Sequence, residues 1–145
     1  MHIDDVPFNQ LIGLRREPEG AAFAVSLPAD VRYHNHLGIV HAAAQLAVAE
    51  AASGDWMLRN FGERAAEFIA VVRRMETKFK QPARGKILGR ATVSEADRAR
   101  LADELATRRM VAFALRVDVY DEAGAHTLTA TVEWFITQRE AATGP

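Results

Sequence analysis

The chain has 145 residues, 49% of them hydrophobic, a formal net charge of −1 at pH 7 and no cysteine. We expect one domain, residues 1–145, because this length can bury a sizeable core. The balanced charge argues against a nucleic-acid partner, and the lack of cysteine excludes disulfides, zinc–cysteine sites and thiol nucleophiles. Neither a signal peptide nor an apolar stretch of transmembrane length is present, which predicts a cytoplasmic protein with no membrane partner.

The N-terminal residues predict a short helix followed by a β-hairpin. A helix over residues 4–10 would be capped by Asp4 or Asp5, because aspartate oxygens accept the free N–H groups at a helix start. Residues 11–14 are typical of a strand, and the alternation of apolar side chains over 23–27 predicts a second one. A turn with proline and glycine would join the two strands.

An alanine-rich helix is predicted next, from about His41 to a stop at Gly54. Alanine has the highest helix propensity, and glycine often follows the last residue of a helix. Alanine side chains bury little apolar area when only one face of a helix packs against a sheet. We therefore expect this helix to be buried on all sides. Residues 55–61 either extend it or form a separate turn that Gly62 closes.

Four further strands are predicted after the helix. Apolar side chains alternate with polar ones in them, and a short helix over residues 94–106, capped by Ser94, precedes the last two strands. The four strands cover residues 68–80, 87–94, 111–120 and 127–136, and the tail 140–145 is expected to fray.

Six strands and one buried helix predict an α+β protein. A long antiparallel sheet with one central helix must curl around that helix to bury it, which gives the hot-dog fold. A cystatin-like or cone-shaped α+β sheet is the structural alternative.

One carboxylate, Glu50, lies in the middle of the apolar helix. A buried charge is costly unless it is paired or has a use. Glu50 therefore either forms an ion pair with an arginine, in the core or at an interface, or takes part in chemistry.

The residues around Glu50 resemble the hot-dog acyl-CoA thioesterases of the phenylacetate and enterobactin pathways. In that family an asparagine or glutamine is followed by a glycine, a His-Gly-Gly sequence and an acidic residue on the next helix. Asn35, Gly38, His41 and Glu50 have this spacing, and residues 78–86 are similar to the family's strand–turn–strand segment.

The resemblance implies hydrolysis of an acyl-CoA or acyl-carrier thioester without a cofactor. Glu50 would serve as general base or nucleophile. The N–H of Ala42 would stabilise the oxyanion at the positive end of the helix, and Asn35 and His41 would orient the substrate or water. The family has glycine where this chain has Ala42 and Ala43, but alanine retains the backbone N–H.

Helix geometry indicates that this site needs two chains. Nine residues of helix span about 13 Å and turn through about 180°, so His41 and Glu50 face opposite sides if residues 41–50 are all helical. A two-fold dimer with its helices side by side would bring Glu50 of one protomer near His41 and Ala42 of the other. The resemblance likewise implies a homodimer or a dimer of dimers.

Five further residues are predicted to bind the substrate. Gly38 lies within the motif, and Ser53 either orients the helix carboxylate or ends the helix. Arg84, Gly85 and Lys86 form a turn whose cations would bind the phosphates of coenzyme A, or would only be solvated.

Simpler interpretations apply to other polar residues of the motif. Asn35 is a common turn or cap residue. His34, His36 and His41 raise the question of a metal ion, but their generic spacing and the lack of cysteine argue against one, so no metal is expected.

Two other functions remain open. A hot-dog module could bind acyl-CoA without hydrolysing it, as a sensor or carrier. A dehydratase or hydratase is a weaker candidate, because those sites carry a histidine and an acid in a different local setting. Replacing Glu50 with alanine separates the first two functions, since hydrolysis would be lost while binding would survive.

Overall fold

The structure is a computed structural model that describes residues 1–139. The strands are β1 (Arg15–Arg16), β2 (Val25–Leu27), β3 (Phe68–Phe79), β4 (Ile87–Thr92), β5 (Met110–Asp121) and β6 (His126–Gln138), and the helices are α1 (Pro7–Leu11), α2 (Ala42–Phe61) and α3 (Glu95–Thr107). Short 3-10 turns cover Ile3–Asp5, Val31–Tyr33 and Gly62–Glu67. The strands form one antiparallel sheet in the order β1-β2-β4-β5-β6-β3. The predicted α+β hot-dog fold is confirmed, and the predicted fraying of 140–145 lies outside the described residues.

The central helix α2 packs against strands β2, β4, β5 and β6. Small residues on both surfaces allow this close approach. Val48 and Ala52 of α2 are fully buried, and a Cβ added to Gly89 of β4 would meet Val48 Cγ1 at 2.8 Å and Ala52 Cβ at 3.1 Å. Packed interiors leave no room for an extra methyl group, so a side chain at Gly89 would push the two apart. Glycine at this position therefore allows the short distance between β4 and α2.

The prediction that α2 stops at Gly54 is wrong, and the alternative in which residues 55–61 extend it is confirmed. The helix runs to Phe61 and ends at Gly62, whose φ of +53° suits glycine. Gly54 is buried, and a Cβ there would lie 2.9 Å from Ile3 Cδ1 and 3.6 Å from Trp134 Cζ2. Tight packing therefore explains this glycine, although glycine inside a helix costs about 1 kcal/mol of stability.

The N-terminal prediction is also partly wrong. Residues 11–14 do not form a strand: helix α1 ends at Leu11, and the hairpin partner of β2 is Arg15–Arg16. Helix α1 starts after Val6 with proline at its first position, where the absent N–H is not needed. Neither Asp4 nor Asp5 caps it, because its N-cap is Val6, and no side chain caps it. The Asp5 carboxylate instead accepts a hydrogen bond from the His2 N–H at 2.6 Å.

Helix α3 agrees with its prediction. The Ser94 hydroxyl caps it by accepting a hydrogen bond from the Asp97 N–H at 3.0 Å. Leu101 and Leu105, one turn apart, are both buried against the sheet. Among residues 1–139, no helix is long and apolar enough to cross a membrane.

Strand β3 lies at one edge of the sheet and pairs on one side with β6. Within residues 1–139 no strand pairs with its other side. Three of its large apolar side chains are exposed, namely Ile69 (46%), Val71 (51%) and Phe79 (44%). An open edge with exposed apolar side chains is a surface that favours pairing with another chain.

Candidate active site

The first turn of α2 presents an unpaired backbone N–H. His41 is the N-cap residue, and its Nδ1 accepts a hydrogen bond from the Ala43 N–H at 3.0 Å. The Nδ1 atom therefore carries no proton, so a neutral His41 ring has its proton on Nε2. The N–H of Ala42 has no acceptor within residues 1–139. This N–H lies at the positive end of the helix, where an anionic oxygen is stabilised.

The loop before the helix is shaped by Asn35 and Gly38. The Oδ1 atom of Asn35 accepts hydrogen bonds from the N–H groups of Leu37 at 2.9 Å and Ile39 at 3.4 Å. Gly38 has a φ of +70°, which a side chain would strain. Asn35 thus has the turn role that is usual for asparagine, while its Nδ2 has no acceptor among the described residues.

A cavity of about 310 Å³ lies beside the unpaired N–H; we name it the helix-start cavity. Its lining includes Asn35, Ala42 and Gln45 from the helix side and Phe79 and Pro82 from the end of β3 and the loop after it. The loop is held there by a hydrogen bond from the Val40 N–H to the Ala83 carbonyl at 3.0 Å. The predicted residues Asn35 and Ala42 therefore share one cavity, whereas Gly38 and His41 do not line it.

Glu50 lines a second and larger cavity of about 540 Å³, which we name the Glu50 cavity. Most of its lining is apolar, including Met57, Leu58, Phe61, Phe68 and Trp134. The Glu50 side chain is half-buried, and within residues 1–139 it has no hydrogen-bond or ion-pair partner. Burial without a compensating partner raises the pKa of the Glu50 carboxyl. Within residues 1–139 Glu50 forms no ion pair with an arginine of its own chain, so the predicted pair in the core is absent, and a pair at an interface stays a prediction.

The carboxylate that does pair with arginine is Asp55, five residues further along α2. Asp55 is 1% exposed and lies between two arginines, with Arg16 Nε at 2.8 Å and Arg59 Nε on the other carboxylate oxygen. Arg59 also donates to the carbonyl of Glu17 at 3.0 Å. Asp55 therefore joins the end of α2 to the first hairpin, and this role was not predicted. Its spacing of four from Arg59 is the signal that could have indicated it.

Ser53 neither ends the helix nor touches the solvent. It is fully buried, and its hydroxyl donates to the backbone carbonyl of Glu50 at 2.7 Å while accepting from Trp134 Nε1 at 3.0 Å. The hydroxyl thus links α2 to β6 behind the Glu50 cavity. Its predicted substrate contact remains a prediction.

The turn at Arg84, Gly85 and Lys86 is held by acidic residues. Lys86 Nζ forms an ion pair with Glu17 at 3.1 Å, and the Lys86 N–H donates to the Glu122 carboxylate at 3.1 Å. Gly85 has a φ of +66°, and a Cβ there would lie 2.0 Å from Glu122 Oε1. None of the three residues lines either cavity. Arg84 has an exposed side chain, so of the two cations it is the one left for a phosphate.

The two cavities share no lining residue, so one chain does not assemble the whole predicted site. The helix starts at Ala42, so the premise of a fully helical 41–50 fails for His41, whose ψ of 143° is extended. The axial separation remains: Ala42 and Glu50 are about 12 Å apart along the helix at 1.5 Å per residue. Among residues 1–139, no three histidine, aspartate or glutamate side chains are grouped to hold a metal ion.

The sequence of a domain of unknown function, DUF4442, matches residues 12–136. The chain belongs to the DUF4442 family. No curated protein matches it.

Solved structures place this DUF4442 chain among hot-dog proteins. A Pseudomonas aeruginosa protein of unknown function, described as a probable thioesterase, is 24% identical with a TM-score of 0.79, covering 94% of this chain and 91% of that one. A Haemophilus influenzae thioesterase is 13% identical with a TM-score of 0.68 and coverages of 98% and 90%. A Bacillus halodurans protein solved with CoA is 17% identical with a TM-score of 0.64 and coverages of 89% and 74%. At these identities the likeness establishes the fold.

Proposed function

We propose that this DUF4442 protein hydrolyses acyl-CoA or acyl-carrier thioesters as a homodimer. The observation that carries the proposal is Glu50, a half-buried carboxylate without a partner in a largely apolar cavity, whose pKa is raised by burial. Ionisable groups with such a cost are concentrated at functional sites. The hot-dog likeness to a probable thioesterase and to a protein solved with CoA agrees with this chemistry.

The proposed reaction uses groups from both cavities and the side chain of His41, the N-cap residue of α2. In one route Glu50 takes a proton from a water molecule whose oxygen attacks the thioester carbonyl. In the other the Glu50 carboxylate attacks the carbonyl itself and forms a mixed anhydride, which a water molecule then hydrolyses. The Ala42 N–H donates to the oxygen that becomes negative, and the Asn35 Nδ2 and His41 Nε2–H orient the substrate. In both routes the carbon–sulfur bond breaks, and the departing thiolate takes a proton, from the protonated Glu50 in the first route and from water in the second, so that the products are a free acid and a thiol.

Strand β3 supplies the geometric argument for a dimer. Its first residues, Phe68–Val72, line the Glu50 cavity, and its last residue, Phe79, lines the helix-start cavity. If two copies of β3 paired antiparallel about a two-fold axis, the start of one strand would lie beside the end of the other. The Glu50 cavity of one protomer would then meet the helix-start cavity of its partner, and the exposed Val71 and Phe79 would be covered.

An acyl-CoA-binding module without turnover is the alternative function. Acyl-CoA esters of short, long and aryl acids, assayed by thiol release, test both. We expect the wild-type protein to hydrolyse at least one class. Absence of thiol release from every ester, together with a rise in melting temperature when an ester is added, would support the binding module instead.

The dimer is tested with single cysteines. Since the chain has no cysteine, an introduced one can form a disulfide only with its copy. We expect single cysteines placed one at a time over residues 73–78 to cross-link two chains at one or two adjacent positions, because opposed Cα atoms in antiparallel strands lie about 5 Å apart. Ala96→Cys on α3 is the control and should not cross-link. A monomer by light scattering, with no cross-link along β3, would contradict the proposed pairing.

A further inference from the structure

Gln45 is a buried polar side chain of the helix-start cavity that has no role in the proposed reaction. Gln45 lies on α2 about one turn after Ala42 and lines the cavity. It is 4% exposed, and its Oε1 has no hydrogen-bond partner among residues 1–139. Nearly all buried polar atoms in folded proteins are paired, so this amide requires an explanation.

The unpaired amide oxygen of Gln45 indicates that a ligand binds beside it. An amide oxygen that is buried without a partner destabilises the folded chain, and an apolar side chain of similar length would avoid that penalty. The neighbouring cavity residues Ile39, Val40 and Phe79 are apolar, so they offer the amide no partner. A molecule bound in the cavity would supply the missing hydrogen bond.

We propose that Gln45 binds a hydroxyl group on the acyl chain, so that the preferred substrates are hydroxyacyl thioesters; this inference rests on the proposed hydrolysis. A hydroxyl both donates and accepts hydrogen bonds, so it pairs with either end of a glutamine amide. Within residues 1–139 of one chain, no carboxylate lines the helix-start cavity to compete for it, and in the proposed dimer the partner's Glu50 is engaged with the attacking water or the thioester carbonyl. The one cation in the lining, Lys80, has its Nζ 3.3 Å from His126 Nδ1.

Helix geometry places that hydroxyl close to the thioester carbonyl. Three residues of helix separate Ala42 from Gln45 by about 4.5 Å, and side chains on a helix lean back toward its N-terminus. The Gln45 amide therefore lies near the level of the Ala42 N–H, which faces the carbonyl oxygen in the proposed reaction. A hydroxyl on the third carbon of the acyl chain matches this spacing.

The test compares 3-hydroxybutyryl-CoA with butyryl-CoA in the wild type and in Gln45→Leu. We expect the wild type to prefer the hydroxyacyl ester by about tenfold or more in kcat/KM, as one hydrogen bond to a buried group provides. In Gln45→Leu this ratio should fall to near one, while the melting temperature of the free protein rises. The matched control is Gln81→Leu, which removes another cavity glutamine whose Nε2 already donates to the His126 carbonyl at 3.1 Å; its ratio should equal the wild type's.

Equilibrium binding separates this inference from the proposed reaction. Affinities of both esters are measured by calorimetry on Glu50→Gln and on Glu50→Gln combined with Gln45→Leu, so that turnover is not needed. A hydroxyl preference that disappears with Gln45→Leu supports the inference even if the wild type hydrolyses neither ester. The inference would be overturned if Gln45→Leu left the preference for the hydroxyacyl ester unchanged in both assays, or lowered the melting temperature with that preference unchanged. It would also be overturned if neither ester bound.

Discussion

Replacing Glu50 with glutamine is expected to lower kcat for thioester hydrolysis by about 10²- to 10⁴-fold, the usual contribution of a general base. Glutamine keeps the size of the side chain but cannot accept the proton of the attacking water. Steady-state kinetics on the best ester of the panel measure the change. The control is Glu63→Gln, an exposed carboxylate just beyond the end of α2, which should leave kcat unchanged. Activity of Glu50→Gln within about threefold of the wild type would remove Glu50 from the mechanism.

The raised pKa of Glu50 predicts how the activity of the wild type and the stability of Glu50→Gln depend on pH. The base is active when ionised, so kcat/KM of the wild type should fall in acid with an apparent pKa above the ordinary value of 4.5.

The raised pKa of Glu50 has the opposite effect on folding stability, which it increases in acid. The reason is that a raised pKa means that the folded chain binds the proton more tightly than the unfolded chain. The stability that the protonated carboxyl contributes is fully present below about pH 4.5 and is lost as the pH rises through the folded-state pKa. Relative to the wild type, Glu50→Gln should therefore become more stable as the pH rises, which urea denaturation at several pH values measures.

Replacing Asp55 with alanine is expected to destabilise the fold by about 3 kcal/mol, since it leaves two arginines without their buried partner. Arg16 and Arg59 keep roughly a quarter of their side chains exposed, at 27% and 25%, so water compensates for part of the loss. Urea or thermal denaturation measures the change. The control is Glu67→Ala, which removes an exposed ion pair to Arg64 at 3.1 Å and should cost about 1 kcal/mol or less. Equal losses in the two variants would show that the Asp55 pairs contribute no more than a surface pair does.

The two acids of α2 show how far the sequence leads. Apolar alternation and alanine content predict the long strands and a central helix, with a hot-dog fold or a cystatin-like sheet as the two arrangements, because these depend on periodicity. Which of Glu50 and Asp55 is paired depends on where Arg16 lies in space, 39 residues before Asp55, and no local pattern encodes that distance. The sequence therefore posed the choice between an ion pair and chemistry for Glu50. The spacing of four from Arg59 makes Asp55 a candidate for pairing, but only the fold shows that Arg16 is its second partner.

Gly54 and the residues after it show a second limit. A glycine in a helical sequence can mark the end of the helix or a position where another side chain packs against the backbone. Gly54 is the second case, because Ile3 and Trp134 occupy the space that a side chain would fill. Because the sequence leaves residues 55–61 as either an extension of the helix or a separate turn, it does not place the large apolar side chains of Trp56 and Leu58. In the structure Leu58 lines the Glu50 cavity, whereas Trp56 stacks on Phe113 with ring centroids 5.7 Å apart and lines a different cavity.

Strand β3 borders the Glu50 cavity at its start and the helix-start cavity at its end, so the number of residues in the strand sets the distance between the two cavities. Each residue of a strand adds about 3.3 Å, and one inserted residue turns every later side chain to the opposite face of the sheet. The chain already has a register irregularity here, between Val72 and Arg74. In the proposed dimer, an insertion or deletion in β3 would misalign both reaction centres at once, so the length of this strand is under tighter constraint than its individual residues.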